Sequence, residues 1–410
     1  MPISDAQASQ EWPDLSDPET FVPGVPYADF ARMRELPGMF WNETEKATRN
    51  GGFWAVTRWD DIVAVEKNPS LFTSTQGGAY PMTFPPADNG ARSIMATDPP
   101  DHTRLRRAAA KGFGPRVVAN FEPWVRDIVL PVIDRIQAAA EFDYVEEVAQ
   151  TIPARVIARV LGVPREDEPQ IVEWTLAVFG ALQPNAGRKA FDDLAAMRQK
   201  MGPYLATIQQ LKKEKPADDM FTELNGCVER GEISQSEFIQ WTFLMMTAGF
   251  ETTHTAIGQS MRLYVENPAV REKVNRAVNE GLVDRVVDEF LRLISPPMEM
   301  ARVATEDTEI GGEKIRKDDV LVTYFAAANR DPSKFQNPDE FDPWRAEKDT
   351  LAFGSGVHRC IGAYLAKLEL QILWEEIVKR DLRFETSSEP KRGWSVFINQ
   401  LTSLPLKHAA

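Results

Sequence analysis

The chain has 410 residues with 47 Lys and Arg against 61 Asp and Glu, a formal net charge of −14 that argues against a nucleic-acid partner. With 43% hydrophobic residues it can bury a large core, while having only two cysteines, Cys227 and Cys360, excludes a disulfide framework and fits a reducing compartment. No Cys-x-x-Cys pair or His-rich cluster offers a zinc site, and neither a leader-like start nor a run of about 20 apolar residues occurs; a soluble, cytoplasmic protein without a membrane anchor is expected.

No Gly/Ser-rich or Pro-rich linker divides the chain, so residues 1–410 read as one domain, with residues 1–20 and 76–92 as its loose stretches. Residues 39–42 and 53–58 read as a β-hairpin around Gly51-Gly52, and 59–67 as a short helix stopped by Asn68-Pro69. Helical periodicity continues through 117–138, 149–161, 166–182, 189–212 and 221–230. Ser234-x-x-Glu237 then forms a capping-box start for a helical stretch reaching Glu266, where Asn267-Pro268 stops it. At 1.5 Å per residue this element spans roughly 48 Å. Its middle, Phe243-Leu244-Met245-Met246-Thr247-Ala248-Gly249-Phe250, is apolar on several sides, which predicts passage through the core. A very apolar helix at 286–294 ends at Ser295-Pro296-Pro297, and short β signals recur at 301–304, 308–310, 320–324, 382–385 and the last fifteen residues. The class is mainly α with small β-sheets.

Phe353-Gly354-Ser355-Gly356-Val357-His358-Arg359-Cys360-Ile361-Gly362 places one cysteine in a glycine-relieved loop directly before the amphipathic run 363–380. This suits a thiolate held against a haem iron, because a helix N-terminus and ferric iron together lower a thiol pKa from its usual value of about 8.5. Gly354, Gly356 and Gly362 let the backbone turn sharply and approach a flat macrocycle, and Phe353 gives the loop an apolar wall. At ordinary residue frequencies the defined positions would recur by chance at roughly 10⁻⁸ per starting point. The stretch resembles the haem-binding loop of the cytochrome P450 family, Phe-Gly-x-Gly-x-His/Arg-x-Cys-x-Gly, and every defined position matches. The resemblance covers nearly the whole chain in motif order. It implies the cytochrome P450 fold in its bacterial, soluble form, with haem b as cofactor, Cys360 as the iron ligand, and Phe353, Gly354, His358 and Gly362 beside the haem.

Other motifs join this resemblance. Ala248-Gly249-Phe250-Glu251-Thr252-Thr253 interrupts the apolar helix with groups that would cost about 1–3 kcal/mol each if buried unpaired. P450s carry such a segment where the helix opens locally over the haem. Glu251 and Thr252 match the acid and alcohol that orient water and deliver protons to dioxygen, and Ala248 leaves room beside the haem. Glu289-Phe290-Leu291-Arg292 matches the family's Glu-x-x-Arg, which with Arg345 implies a buried structural network behind the thiolate. His102, Arg106, Arg302 and His358 match positions that meet the haem propionates. Arg104, Arg106, Arg107, Lys111, Arg359 and Lys367 would form a basic island on the proximal face, suited to an acidic ferredoxin.

By position, the substrate pocket implied is lined by Met82, Phe84, Ile94, Met95, Phe179, Leu182, Leu244, Thr247, Ala248, Met298, Met300, Phe397 and Ile398, almost wholly apolar. Terpenoid, steroid, fatty-acyl and alkyl-aromatic substrates fit such a lining. Arg92 is the one nearby cation, placed toward solvent or the propionates. The expected activity is a monomeric monooxygenase that inserts one oxygen atom of O2 into a C–H bond. Separate ferredoxin and ferredoxin reductase proteins would supply electrons, since no flavin or iron–sulfur domain follows. Two alternatives are an H2O2-dependent haem-thiolate peroxygenase, which would not need Glu251 and Thr252, and a haem sensor or carrier, which would call for an output domain.

Overall fold

A reciprocal cap opens the helix around which the molecule is arranged: the Ser234 hydroxyl accepts the Glu237 amide, and the Glu237 side chain accepts the Ser234 amide. The helix, Gln235–Glu266, runs for 32 residues, and Phe238, Trp241, Met245, Phe250, Ile257 and Met261 are among those it buries. Tertiary packing of this kind, more than intrinsic propensity, stabilises a helix in a globular core. The computed structural model describes residues 7, 10–46, 48–80, 92–182 and 188–409. Among them no helix is long and apolar enough to cross a membrane.

The helix Thr151–Leu161 lies closely against the long helix. A Cβ added at Gly249 would come within 2.4 Å of Ile157 Cδ1, so this glycine sets the approach. The π-helical turn Val145–Gln150 precedes Thr151–Leu161, trimming the expected 149–161 segment. The expected helix at 117–138 divides into Pro115–Ala119 and Glu122–Ala138, because Pro123 is best placed at a helix start. Two further helices, Tyr27–Arg34 and Pro268–Asn279, lay outside the sequence reading.

The main sheet has five strands in the order Phe40–Glu43, Gly52–Val56, Val320–Thr323, Met300–Ala304 and Phe72–Thr73. Its hairpin pairs Phe40 with Ala55, while Gly52–Val56 and Val320–Thr323 run parallel. A three-stranded sheet joins Glu141–Asp143, Pro405–His408 and Phe384–Thr386.

Asn399 ties several elements together. Its side-chain amide donates to Ile294 O at 2.8 Å and its backbone amide to Pro296 O at 3.1 Å. Its side-chain oxygen accepts from Arg392 Nη2 at 2.6 Å and from Gln259 Nε2, on the long helix, at 3.1 Å. The neighbouring turn is stitched to the same segment, with Met298 N donating to Phe397 O at 2.8 Å and a β-bridge between Pro297 and Ile398.

Candidate active site

The cysteine loop is shaped by two glycines and one backbone bond. Gly354 and Gly356 take φ of 66° and 62°, which disfavours any side chain, and the Cys360 amide donates to Phe353 O at 2.9 Å. Gly362 differs from these two in having an ordinary φ of −85°, and it serves as N-cap of the helix Ala363–Lys379. A Cβ on Gly356 would lie 2.1 Å from the Glu66 carbonyl oxygen, so the loop presses against the end of the helix Trp59–Glu66.

Cys360 is crowded by protein yet keeps accessible surface, so it faces an open space. Burial pushes its thiol up, outweighing the Gly362 amide bond and the charges of Arg106 and Arg359 that pull it down. Phe353 is partly covered, with Lys367 Nζ 5.7 Å from its ring centre.

Arg106 spans from the helix Asp101–Ala110 to the cysteine loop, donating to Arg359 O at 2.6 Å. The rings of His102 and His358 lie 4.3 Å apart. His102 Nε2 is buried without a hydrogen-bond partner among the described residues, an atom that calls for a polar group beside it. Burial, then Arg106, hold His102 down at about 4; burial, then Arg302, hold His358 down at about 2. His358 Nε2 is already engaged by Ser74 Oγ at 3.1 Å, a partner the sequence did not reveal. Arg302 donates to Glu66 Oε2 at 2.6 Å and to Ala301 O at 2.8 Å, leaving three of its five N–H groups uncommitted among the described residues. A thiol facing open space, an orphaned imidazole nitrogen and spare guanidinium donors fit a planar, doubly carboxylated macrocycle.

The long helix passes this space without the expected local opening, continuous from Gln235 to Glu266. The Thr252 hydroxyl closes back on Ala248 O at 2.9 Å, and Thr247 closes on Phe243 O at 3.1 Å. Ala248 is nevertheless exposed in the middle of this largely buried element, which places it at the edge of an internal space. Glu251 has no ion pair among the described residues, and burial raises its carboxyl to about 7. His254, one turn beyond Phe250, stacks parallel on that ring at 5.6 Å within the core.

Glu289 receives Arg292 Nε and Nη2, both at 2.8 Å, and Arg345 Nε at 3.1 Å, with all three side chains at most 5% exposed. Arg292 also donates to Asn329 O at 2.7 Å, and the Asn329 side chain accepts the Leu351 amide at 2.8 Å. This chain of bonds reaches from the Val283–Ile294 helix to two residues before Phe353.

The inferred pocket separates into three groups. Ile94, Met95, Leu244, Thr247 and Met300 are half-buried, and Phe397 likewise keeps surface. Met298 and Ile398 are more fully covered, at 1% and 3% exposed, in the turn joined by the Pro297–Ile398 bridge and the Met298 amide bond to Phe397 O. Met82 and Phe84 lie outside the described residues, as do the side chains of Phe179 and Leu182. Arg92 donates to Thr75 O at 3.0 Å, next to the Ser74 that bonds His358, which puts it on the His358 side.

The basic island is partly neutralised. Arg104 pairs with Glu237 at 2.6 Å, Lys111 with Glu223 at 3.2 Å, and Lys367 with Asp288. Arg107 and Arg359 are exposed and make no ion pair among the described residues. Glu66 and Glu299, both fully buried acids, escaped the sequence reading. The pattern contained a signal for Glu66, since Trp59, Ile62 and Glu66 fall on one helix face.

Known proteins share these features. Residues 189–395 match the sequence profile described as Cytochrome P450. Linalool 8-monooxygenase of Pseudomonas putida is 30% identical over 407 residues, covering 96% of this chain and 98% of that protein. Steroid C26-monooxygenase of Rhodococcus jostii is 29% identical over 397 residues, with coverage of 93% and 82%. The cytochrome P450 CYP268A2 of Mycobacterium marinum, solved in complex with pseudoionone, superposes with a TM-score of 0.82 at 26% identity, covering 93% of this chain and 94% of that one. The chain belongs to the cytochrome P450 family and is one of its bacterial-type monooxygenases.

Proposed function

We propose that this haem b monooxygenase hydroxylates a neutral, apolar terpenoid or sterol-like molecule, with electrons delivered by a ferredoxin and its reductase. Bound haem with a thiolate ligand supplies the reductive cleavage of O2 and the transfer of one oxygen atom to carbon. The observation carrying the substrate class is the lining itself: Ile94, Met95, Leu244, Ala248, Met300 and Phe397 present no charge, and Arg92 is turned to Thr75. Burying a charged substrate there would lack a counter-ion and cost several kcal/mol. The relatives named for linalool and steroid oxidation agree with this lean.

In this reading Cys360 is the iron ligand, held by the Phe353 carbonyl bond and the Gly362 amide. Phe353 walls the sulfur side against water and Gly354 turns the loop, while Arg106, Arg302 and His102 hold the propionates, with His358 buttressing His102 from its bond to Ser74. Glu251, poised at about 7, holds a proton near neutral pH, and the Thr252 hydroxyl keeps lone pairs to accept a water that passes it on. The presence of this acid and alcohol disfavours a peroxygenase. Glu289, Arg292 and Arg345 are structural.

For the electron donor, Arg107 and Arg359 are the free cations on the proximal side, and Tyr364, 46% exposed beside them in sequence to Arg359, supplies an aromatic contact. The test is reconstitution with a ferredoxin and reductase, using a panel of a terpene alcohol, a sterol and a benzoate. Neutral ligands should give the larger shift toward high-spin iron and the oxidised product. A larger response to benzoate that Arg92→Ala removes would replace the substrate class. Turnover with H2O2 alone at an equal rate would replace the donor.

A further inference from the structure

We propose that Glu66 is a positioning residue for the haem, holding Arg302 and offsetting its charge so as to lower the reduction potential of the iron. This rests on Arg302 as a propionate partner. The pair is shut from water, with side chains 1% and 4% exposed, and its 2.6 Å contact is the length of a charge-assisted bond. Thr323 Oγ1 lies 3.2 Å from the other carboxylate oxygen and shares its one proton between that oxygen and Met300 O at 2.9 Å.

Three observations connect this pair to the haem site. Arg302 is close enough to His102 and His358 that its charge bears on both imidazoles, and the rings of those histidines are 4.3 Å apart. Three N–H groups of Arg302 remain beyond those given to Glu66 and Ala301, so one guanidinium can span Glu66 and a propionate. The backbone carbonyl of Glu66 also packs where a Cβ on Gly356 would stand, so this residue meets the cysteine loop with its main chain and Arg302 with its carboxylate.

Stability alone does not account for the pair. A buried ion pair is often no more stabilising than well-packed apolar residues of the same volume. The other acid facing Arg302 is Glu299, whose Oε1 accepts the Tyr80 amide at 3.0 Å and whose carboxyl burial pushes well up. Burial pushes the Glu66 carboxyl up as well, with Arg302 pulling it back down, and the 2.6 Å contact assigns to Glu66 the charge that offsets Arg302. A carboxylate in a region of low screening favours the more positive, ferric form of the iron.

The experiment is a redox titration of the substrate-free holoenzyme, with haem content and the ferrous–CO spectrum as controls. Glu66→Gln keeps the volume and loses the charge, so the midpoint potential should shift positive. Glu66→Asp keeps the charge and should stay closer to wild type. Arg302→Gln should shift the potential negative or weaken haem retention. A Glu66→Gln potential equal to wild type, with haem content and spectrum intact, overturns the proposal. If Arg302→Gln also changes neither potential nor retention, the propionate reading of Arg302 fails as well. If Glu66→Gln loses haem, Glu66→Asp, which keeps the charge beside Arg302, should retain it with a potential close to wild type. A Glu66→Asp variant that also fails to hold haem assigns the pair to scaffolding and overturns the proposal too.

Discussion

The Thr252 hydroxyl donates to the Ala248 carbonyl oxygen at 2.9 Å, one turn back along the long helix. The helix thus completes its bonding without opening, and the hydroxyl points its remaining acceptor capacity at the surface Ala248 leaves free. In this resting arrangement the alcohol is satisfied by its own helix and is available to a water molecule without any backbone movement.

Thr252→Ala should therefore change stability by less than about 1 kcal/mol, since the Ala248 carbonyl is still served by the helix ladder. Haem and substrate binding should persist while reducing equivalents are diverted to peroxide. Product formed per NAD(P)H consumed is the quantity to follow, and unchanged coupling would reduce Thr252 to a helix residue.

Burial raises the Glu251 carboxyl from 4.5 to about 7, with no cation opposing it. Its folded-state pKa lies above the unfolded one, so its contribution to stability is fully present below about pH 4.5 and falls as pH rises through about 7. The span of that loss is up to about 3 kcal/mol. Glu251→Gln should flatten this part of the stability profile, measured by denaturant unfolding between pH 4.5 and 8. It should also lower coupled product formation most near neutrality, where the wild-type acid is half protonated.

Removing Glu289 leaves Arg292 and Arg345 buried without their anion. Glu289→Ala should cost about 3–5 kcal/mol and loosen the path through Asn329 to Leu351 that steadies the cysteine loop. Denaturant midpoints and haem retention on gel filtration check this. Glu289→Ala with normal stability would show that the network contributes nothing.

The glycines of the loop should respond unequally. Gly356→Ala sets a Cβ 2.1 Å from the Glu66 carbonyl oxygen at a φ of +62°, so haem loading should collapse. Gly362→Ala meets no protein atom nearer than Cys360 Sγ at 4.0 Å, with φ −85°, so the stability of the haem-free fold should stay within about 1 kcal/mol of wild type. Denaturant unfolding of the two haem-free variants side by side settles the point.

Local chemistry was legible in the sequence where one residue and its near neighbours decide the outcome. The Ser234 and Glu237 cap, the positive φ of Gly354 and Gly356, and the burial of the stretch around Met245 all follow from short-range rules. What escaped depends on distant partners. Glu66 and Arg302 are 236 positions apart, and only the folded sheet brings the helix Trp59–Glu66 against Met300–Ala304. The same holds for the basic island, whose Arg104, Lys111 and Lys367 find acids on other helices, and for His358, engaged by Ser74. The burial of Met298 and Ile398 likewise accompanies a bridge between segments 101 residues apart, Pro297 and Ile398. Sequence spacing fixes which residues share a face, but not which opposing element will cover it.

The bonds gathered on Asn399 bear on how such a pocket can diversify. They fasten the backbone of the turn after Phe397 to Ile294, Pro296 and Gln259 without using the Phe397 side chain. Position 397 can then be varied in size while its anchor stays put, so mutational exploration of ligand preference is decoupled from folding cost at this edge. Changes at Asn399 itself would forfeit that freedom, because its role in holding the backbone is what makes its neighbour negotiable.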